Sequence, residues 1–389
     1  MTALPEPDRG RIPELDGIRG LAILLVLIWH YVMCEVRPPL LFRFLNLTWS
    51  GVELFFVLSG FLIGGILLDH RESPSYFRVF YARRACRILP LYYAWLVLFA
   101  IVLPIRHRLP LGSASDWIFN APLPFWSYFT FTQNFLQAKT ELWGPNWVAV
   151  TWSLAIEEQF YLFLPLVIRF VPRRALPFVL APLIVAAPIA RAILYVPRND
   201  ALASYVLPAG KMDALLLGVL CAWLMRNAKL AERLPRTLPA LRIVLFSCAG
   251  FAFLTTYIAE TRLTRVLSES MLALAYASLL LLVLNAPASP FAQMARWRWL
   301  RALGIIAYGT YIIHQTVSGF VFGVARGHWP YIAQRSDLLL VALSLVLTLA
   351  IAAASWRWFE KPIVRWSRRW NYEIIGRSTP RSRATSIAS

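Results

Sequence analysis

Ionisable residues inside apolar segments are the first positions in this sequence that could carry chemistry. His30 lies within one long apolar segment and Glu157 within another. A charged side chain at membrane depth is costly, so each of these residues is a candidate for a functional role. A histidine and a glutamate at the same depth could pair, and such a pair is suited to abstracting a proton from a hydroxyl group. The alternative is a structural ion pair that holds two helices together.

The polar residues around these two positions follow helical spacing. Arg19 precedes His30 by eleven residues, which is about three full turns of an α-helix, so both side chains are predicted on one face about 16 Å apart. Ser153, Glu157 and Tyr161 are spaced by four residues and are predicted to form one polar stripe. For His30 taken alone, a hydrogen bond between helices is the alternative to a catalytic role.

A basic cluster precedes the third apolar segment, in the run Arg83-Arg84-Ala85-Cys86-Arg87. Arg84 and Arg87 are three residues apart and would point the same way on a helix. Two guanidinium groups placed in this way could clamp phosphate groups. The alternative is that the cluster marks the cytoplasmic side of a membrane or contacts anionic lipids.

The composition indicates what kind of chain must position these residues. The 389 residues are 59% hydrophobic and only 15% charged, with a mean hydropathy of +0.58. These values exclude an ordinary soluble domain, and 16 Trp, 15 Tyr and 24 Phe exclude collagen-like, coiled-coil and disordered chains. A net charge of +19 would suggest nucleic acid in a soluble protein. In a membrane protein the positive charges collect in cytoplasmic loops instead, so we predict no nucleic-acid partner.

Apolar runs long enough to cross a bilayer predict an all-α, polytopic bundle of about ten transmembrane helices. No zinc-ligand cluster, phosphate-binding loop or nucleophile elbow appears, so no metal is predicted. The predicted spans are residues 18–36, 50–69, 88–106, 147–168, 175–196, 208–225, 242–259, 267–285, 302–324 and 337–359.

The distribution of Lys and Arg predicts the orientation of this bundle. With the N-terminus inside, 26 of these residues fall on the cytoplasmic side and 10 on the outer side. This asymmetry predicts a multi-pass membrane protein with both termini in the cytoplasm. We predict a transmembrane domain over residues 1–366 and a cytoplasmic, disordered tail over residues 367–389. The longest outer loop, residues 107–146, is rich in tryptophan and could stack on sugar rings, although an interfacial aromatic belt is the alternative.

Several runs in fixed order resemble the membrane-bound acyltransferase 3 family, over about residues 12–366. The principal runs are Leu15-Asp16-Gly17-Ile18-Arg19-Gly20 with His30, Gly51-Val52-Glu53-Leu54-Phe55-Phe56-Val57-Leu58-Ser59-Gly60-Phe61-Leu62-Ile63, Arg83-Arg84-x-x-Arg87-Ile88-x-Pro90 and Trp152-Ser153-Leu154-x-x-Glu157-x-x-Phe160-Tyr161. Further matches are Tyr308-x-x-Tyr311-x-x-His314, Glu360-Lys361-Pro362 and Lys211-Met212-Asp213-Ala214-Leu215-x-x-Gly218, where the family usually has Arg in place of Lys211.

The resemblance implies an enzyme that moves an acyl group, commonly acetyl from acetyl-CoA, onto a hydroxyl of a sugar, polysaccharide or lipid-linked glycan. Many similar proteins carry a hydrolase-like domain outside the membrane. We expect this chain to lack one, and therefore to act alone or with a separate external partner. The resemblance also implies a protein of the bacterial inner membrane. The donor would be cytoplasmic, and the acceptor would enter from the outer half, past the aromatic loop.

The resemblance and the residue patterns together assign roles to five residues. Arg19, Arg84 and Arg87 are expected to hold the phosphates of CoA. His30 is expected to act as general base on the acceptor hydroxyl or to carry the acyl group briefly, with Glu157 orienting the imidazole.

Two other functions remain open from the residues alone. One is O-acylation of a macrolide or another small molecule with a longer acyl chain. The other is proton-coupled transport, which charged residues near the membrane centre would also suit. Transporters usually show internal repeats, and none is visible here, so acyl transfer is favoured.

Four other positions receive structural interpretations. His314 is expected to hydrogen-bond within the bundle, and Glu53 to cap a helix or face solvent at the outer interface. Lys211 and Asp213 are two residues apart and are not expected to share a helix face. The spacing Gly60-x-x-x-Gly64 predicts a close contact between two helices.

Overall fold

The computed structural model describes residues 12–33, 40–120, 123–195, 201–258 and 262–373, and within these ranges the chain contains helices and no strands. Ten helices of 16 residues or more form the bundle. They are α1 (Pro13–Ile28), α2 (Gly51–Asp69), α3 (Tyr76–Val102), α4 (Thr151–Phe170), α5 (Leu176–Tyr195), α6 (Pro208–Met225), α7 (Leu234–Ile258), α8 (Arg262–Asn285), α9 (Ala307–Arg326) and α10 (Asp337–Ser355).

Shorter elements join or extend these helices. A π-helical turn, Trp29–Met33, continues α1, and a 3₁₀ segment, Leu40–Ser50, leads into α2. The remaining short elements are Leu103–Arg108, Ala114–Phe119, Phe125–Phe129, Gln133–Thr140, Ala201–Val206, Ala228–Ala231, Pro290–Ala295, Arg298–Ile305, Trp356–Glu360 and Lys361–Ser367.

Eight helical segments among the described residues are long and apolar enough to cross a membrane. They contain α1 to α3, α5 to α8, and α10. The helices α4 and α9, each 20 residues long, are not among them. Both carry polar side chains, including Glu157 on α4 and His314 on α9, which reduce the apolar character of the segment. The predicted polytopic helical bundle is therefore confirmed, whereas the count of ten spans is not.

Small residues let α2 and α6 pack with their backbones in contact. A Cβ atom at Gly60 would overlap the carbonyl oxygen of Leu215, and one at Gly218 would overlap that of Val57. Gly64 lies one turn further along the same contact, against Val219. The helix contact predicted from the Gly60-x-x-x-Gly64 spacing is therefore confirmed.

Glycines also fix the start of α1. A Cβ atom at Gly17 would overlap the carbonyl oxygen of Ala295, and one at Gly20 would overlap that of Leu300. The beginning of α1 therefore lies directly against the short helix Arg298–Ile305 and the residues before it. This contact places Arg19, which lies between the two glycines, at a defined position in the bundle.

A buried ionic cluster joins α2, α5, α6 and α8. Lys211 Nζ lies 2.5 Å from Glu53 Oε1 and 2.8 Å from Glu269 Oε2. Arg191 pairs with Asp213 at 2.8 Å and with Glu269 at 3.6 Å. The interpretation of Glu53 as an interfacial or capping residue is wrong, because its side chain is buried, with 1% of the residue exposed. Removing one partner would leave a charge buried and unpaired, which is strongly destabilising.

The chain after α10 returns to the beginning of α3. Arg83 donates from Nε to the carbonyl oxygen of Trp370 at 2.8 Å, and the Tyr372 ring stacks on His70 with centroids 3.8 Å apart. Burial lowers the pKa of the His70 imidazole, which favours the neutral ring in this stack. Residues 367–373 of the predicted disordered tail are thus packed, while residues 374–389 lie outside the described residues.

Gly60→Ala should lower the unfolding temperature of the protein, because the added methyl group would push against the α6 backbone. Overpacking of this kind costs about 1–3 kcal/mol. Gly250→Ala on α7 is the matched control, because nothing lies within 4 Å of its added Cβ. There the usual gain of about 0.5–1 kcal/mol for Ala over Gly in a helix should appear. Tryptophan fluorescence during heating in detergent would measure both. A Gly60→Ala protein as stable as Gly250→Ala would contradict the packing described here.

Candidate functional site

A cavity of about 140 Å³ lies between α1, α2, α3, α4 and α9. Arg19 from α1, Arg84 and Arg87 from α3, and Glu157 from α4 all line it. We call it the arginine cavity. Four of the five predicted site residues, which lie on three different helices, are therefore brought together in one place. The rest of the lining is mainly apolar and aromatic.

The three arginines give this cavity a strong positive charge. Arg19 donates from Nη1 to Asp16 Oδ1 at 3.0 Å, and 22% of the Arg19 side chain is exposed. Within the described part of the chain, no carboxylate lies at ion-pair distance from Arg84 or Arg87. The Arg87 guanidinium instead lies over the Trp356 ring, 5.5 Å from its centroid. Such a site suits an anion, and guanidinium groups match phosphate oxygens well.

The placement of the basic cluster follows from its helix. α3 begins at Tyr76, not near residue 88 as predicted, so the whole run from Arg83 to Arg87 is helical. Arg84 and Arg87, one turn apart, face the arginine cavity as their spacing predicted. Arg83 faces elsewhere and holds the chain after α10. Adjacent arginines of the cluster therefore have different tasks.

A chain of hydroxyl groups and a carboxylate lines the cavity beside the arginines. Tyr161 donates a hydrogen bond to Glu157 Oε2 at 3.2 Å, and its hydroxyl lies 2.5 Å from Ser59 Oγ. Ser153 Oγ lies 2.6 Å from the Tyr311 hydroxyl. Ser153, Glu157 and Tyr161 all line the cavity, so the polar stripe predicted on α4 is confirmed. These groups could hold or move a proton at the end of a bound ligand.

His30 does not line the arginine cavity. It lies in the π-helical turn Trp29–Met33, and its Nδ1 lies 2.9 Å from the Val26 carbonyl oxygen. Since a carbonyl only accepts, Nδ1 is the protonated nitrogen. The half-buried ring lines a second, smaller cavity, together with Tyr31, Phe322 and Tyr331. The regular 100° step of an α-helix ends at Ile28, so a shared face with Arg19 does not by itself place His30 in the same cavity.

The expected pairing of His30 with Glu157 is not formed. Among the hydrogen bonds of the described residues, none joins these two side chains. Two residues of α9 contact His30 and the helix that carries Glu157 instead. His314 packs its ring against His30, with centroids 4.8 Å apart, and Tyr311 hydrogen-bonds Ser153 on the helix of Glu157. The orientation of the His30 ring is set by Val26 and His314, which corrects the orienting role expected of Glu157.

Some site residues could not be assigned a role from their spacing. Ser59, Tyr308 and Tyr311 line the arginine cavity. Each lies in a run that carries the family resemblance, which was the available signal. In the predicted aromatic loop, Trp126 and Trp143 are exposed. No group of three or more His, Cys, Asp or Glu side chains that could hold a metal occurs among the described residues.

Comparisons with known proteins assign this architecture to a family. Residues 12–357 match the acyltransferase domain family. A peptidoglycan O-acetyltransferase of Listeria monocytogenes is 28% identical over 376 residues, covering 92% of this chain and 56% of the relative. An O-acetyltransferase of Staphylococcus aureus is 26% identical over 381 residues, covering 90% and 57% respectively. A Bacillus subtilis relative is 29% identical over 377 residues, covering 90% and 55%.

The chain spans a little over half the length of these curated relatives. No solved structure matched it. The match nevertheless covers nearly all of the bundle, including every residue that lines the arginine cavity. The chain belongs to the acyltransferase domain family.

Proposed function

We propose that this protein is a membrane O-acetyltransferase that transfers an acetyl group from acetyl-CoA to a hydroxyl of a sugar or glycan. The observation that carries the proposal is the convergence of Arg19, Arg84, Arg87 and Glu157 on one cavity. Family membership favours acyl transfer over the alternative of proton-coupled transport. The names of two relatives, which act as O-acetyltransferases, support an acetyl group, and one of them names peptidoglycan as the acceptor.

The donor is assigned to the arginine cavity on the basis of charge and shape. CoA is an anionic nucleotide with a long, thin pantetheine arm that ends in the thioester. Arg84 and Arg87 supply guanidinium groups without carboxylate partners among the described residues, and phosphates would provide the missing charge. The arm would extend along the apolar wall of the cavity toward Ser59, Glu157 and Tyr311, so that the thioester lies beside their polar groups.

The acceptor is assigned to the side of the second cavity. His30 lines that cavity, and with Nδ1 protonated its Nε2 carries a lone pair that can take a proton from a hydroxyl group. His30 acts there as general base, or carries the acetyl group as an acyl-imidazole. The second cavity measures only about 10 Å³, so it would admit the reacting hydroxyl group and not the whole sugar ring.

The orientation of the bundle follows from the charge distribution. Both termini and the mouth of the arginine cavity lie in the cytoplasm, where CoA is made, and the second cavity faces the outer side of the inner membrane. Residues 1–366 form the transferring unit. The acetyl group then passes from one side of the bilayer to the other at the level of Tyr311 and His314, which contact the two cavities.

Arg84→Ala and Arg87→Ala should each weaken the binding of acetyl-CoA. The loss of one charge-assisted contact corresponds to about 1–3 kcal/mol, or roughly 5–150-fold in Kd. Arg83→Ala is the matched control, because it removes the same charge from the adjacent position of α3 without touching the cavity. Calorimetric titration of acetyl-CoA into each purified protein would measure the affinities. Equal weakening in all three variants would indicate a general effect of charge and would count against the phosphate site.

The transfer across the bilayer can be tested in proteoliposomes of one orientation, verified by protease cleavage of the C-terminal tail. Acetyl-CoA is confined to the tail side, and a soluble glycan-strand oligosaccharide to the other side. Acetylated oligosaccharide should appear in this arrangement, because each substrate meets its own cavity. His30→Ala should abolish the product while leaving acetyl-CoA affinity unchanged, because His30 lies outside the arginine cavity. Product formed only when both substrates share the tail side would refute transfer across the membrane.

A further inference from the structure

His314 occupies a buried position between the groups that line the two cavities. It is 0% exposed. Its ring centroid lies 4.8 Å from that of His30, which lines the second cavity, and 6.0 Å from that of Tyr311, which lines the arginine cavity. The His314 ring is in contact with the His30 ring, so its protonation chemistry bears directly on that residue.

Backbone contacts fix which nitrogen of each ring is protonated. His314 Nδ1 lies 2.7 Å from the Tyr311 carbonyl oxygen, as His30 Nδ1 lies 2.9 Å from that of Val26. Because a carbonyl oxygen only accepts, both rings must donate from Nδ1, and each neutral ring then has a lone pair on Nε2. His314 Nε2 is buried and has no hydrogen-bond partner among the described residues. An acceptor left unpaired at such depth is costly, which indicates a partner that arrives during function.

The spacing of the two rings is held by a hydroxyl group on the residue after His30. Tyr31 donates to the main-chain carbonyl of His314 at 2.9 Å, and its oxygen lies 2.8 Å from Thr348 Oγ1. This contact joins the end of α1 to α9 and α10. The two imidazoles therefore cannot separate without breaking a buried hydrogen bond.

We infer that His314 is a positioning residue for His30. When His30 becomes protonated, its Nε2–H donates a hydrogen bond to Nε2 of His314. The inference rests on the proposed role of His30 as general base. The acceptor hydroxyl gives its proton to His30 Nε2 while its oxygen forms a bond to the thioester carbon. The carbon–sulfur bond then breaks, its electron pair stays on sulfur, and the proton shared by the two Nε2 atoms passes to the sulfur. The products are the ester and the free thiol of CoA, and both imidazoles return to the neutral state.

A neutral imidazole suits this task better than a carboxylate would. A carboxylate beside His30 would stabilise the protonated ring at rest and so occupy the lone pair that the reaction needs. His314 has no charge to attract that proton in the resting state. It accepts a hydrogen bond only after His30 has gained its proton, so it stabilises the charge that develops in the reaction.

The test compares His314→Gln with His314→Met. The glutamine amide oxygen can accept a hydrogen bond near the position of Nε2, whereas the methionine thioether fills the space with only a weak acceptor. His314→Met should lower kcat about 100-fold with acetyl-CoA affinity unchanged, and His314→Gln should retain roughly a tenth or more of wild-type kcat. The unfolding temperature of both variants should stay near that of the wild type.

A second measurement reports on His30 without any acyl-CoA. Diethyl pyrocarbonate acylates the lone pair of a neutral imidazole, and mass spectrometry gives the rate at each histidine. The pH at which His30 modification reaches half its maximal rate should fall by about one unit in His314→Met and only slightly in His314→Gln, because loss of the acceptor at His314 Nε2 destabilises the protonated, unreactive ring. His70, whose ring packs on Tyr372, is the internal control in the same digest.

The outcomes separate this inference from the proposed function. Unchanged kcat and unchanged His30 modification in His314→Met would overturn the inference. An equal loss in both variants with a lowered unfolding temperature would also overturn it, since that is the result of a structural role. If the wild type does not transfer acetyl from acetyl-CoA but His30 modification depends on His314 as expected, the proposed donor is wrong and the histidine pair stands.

Discussion

A charge at membrane depth needs a partner, and the buried ionic cluster and the arginine cavity differ in how they meet this requirement. In this cluster, Lys211 lies between Glu53 and Glu269, and Arg191 binds Asp213 and Glu269, so each charged group has an oppositely charged partner where four helices meet. In the arginine cavity the described residues place no carboxylate at ion-pair distance from Arg84 or Arg87. The first arrangement pairs its charges within the protein, whereas the second would gain stability when an anion binds.

The position of the cavity depends on how closely the helices approach. Gly17 and Gly20 bring α1 against the chain before α9, and Gly60 brings α2 against α6. Arg19 and Ser59 are the neighbours of two of these glycines along the chain, and both line the cavity. Within the same short motifs, glycines that set the helix spacing therefore lie next to residues that face the cavity. A larger side chain at a glycine position would displace the adjacent functional group as well as the helix.

Much of this arrangement could be predicted from the sequence because it depends on single helices. Apolar runs predict the bundle, and spacing within one helix predicts that Arg84 and Arg87, or Glu157 and Tyr161, share a face. Contacts between helices are different, because periodicity along one helix contains no information on which neighbour it meets. Glu53 was for this reason assigned to the interface, although it pairs with Lys211, 158 residues away along the chain.

The same limit explains the separation of His30 from Glu157. Equal depth in the membrane made a pair plausible, but depth does not specify which helix lies between two groups. In the structure α9 supplies Tyr311 and His314, one turn apart, and these contact the groups on either side. His30 also lies beyond the regular part of α1, in a π-helical turn, where the spacing rule for a straight α-helix does not apply.

The separation of the two cavities would have a consequence if, as proposed, substrates enter from both sides of the membrane. A continuous passage from the arginines to His30 would admit water and ions along its whole length. Tyr311 and the fully buried His314 stand between the groups that line the two cavities. Under the proposed function, the donor and the acceptor would meet at this layer, each from its own side. The acetyl group would then cross as part of a covalent exchange, and the bilayer would remain sealed during each transfer.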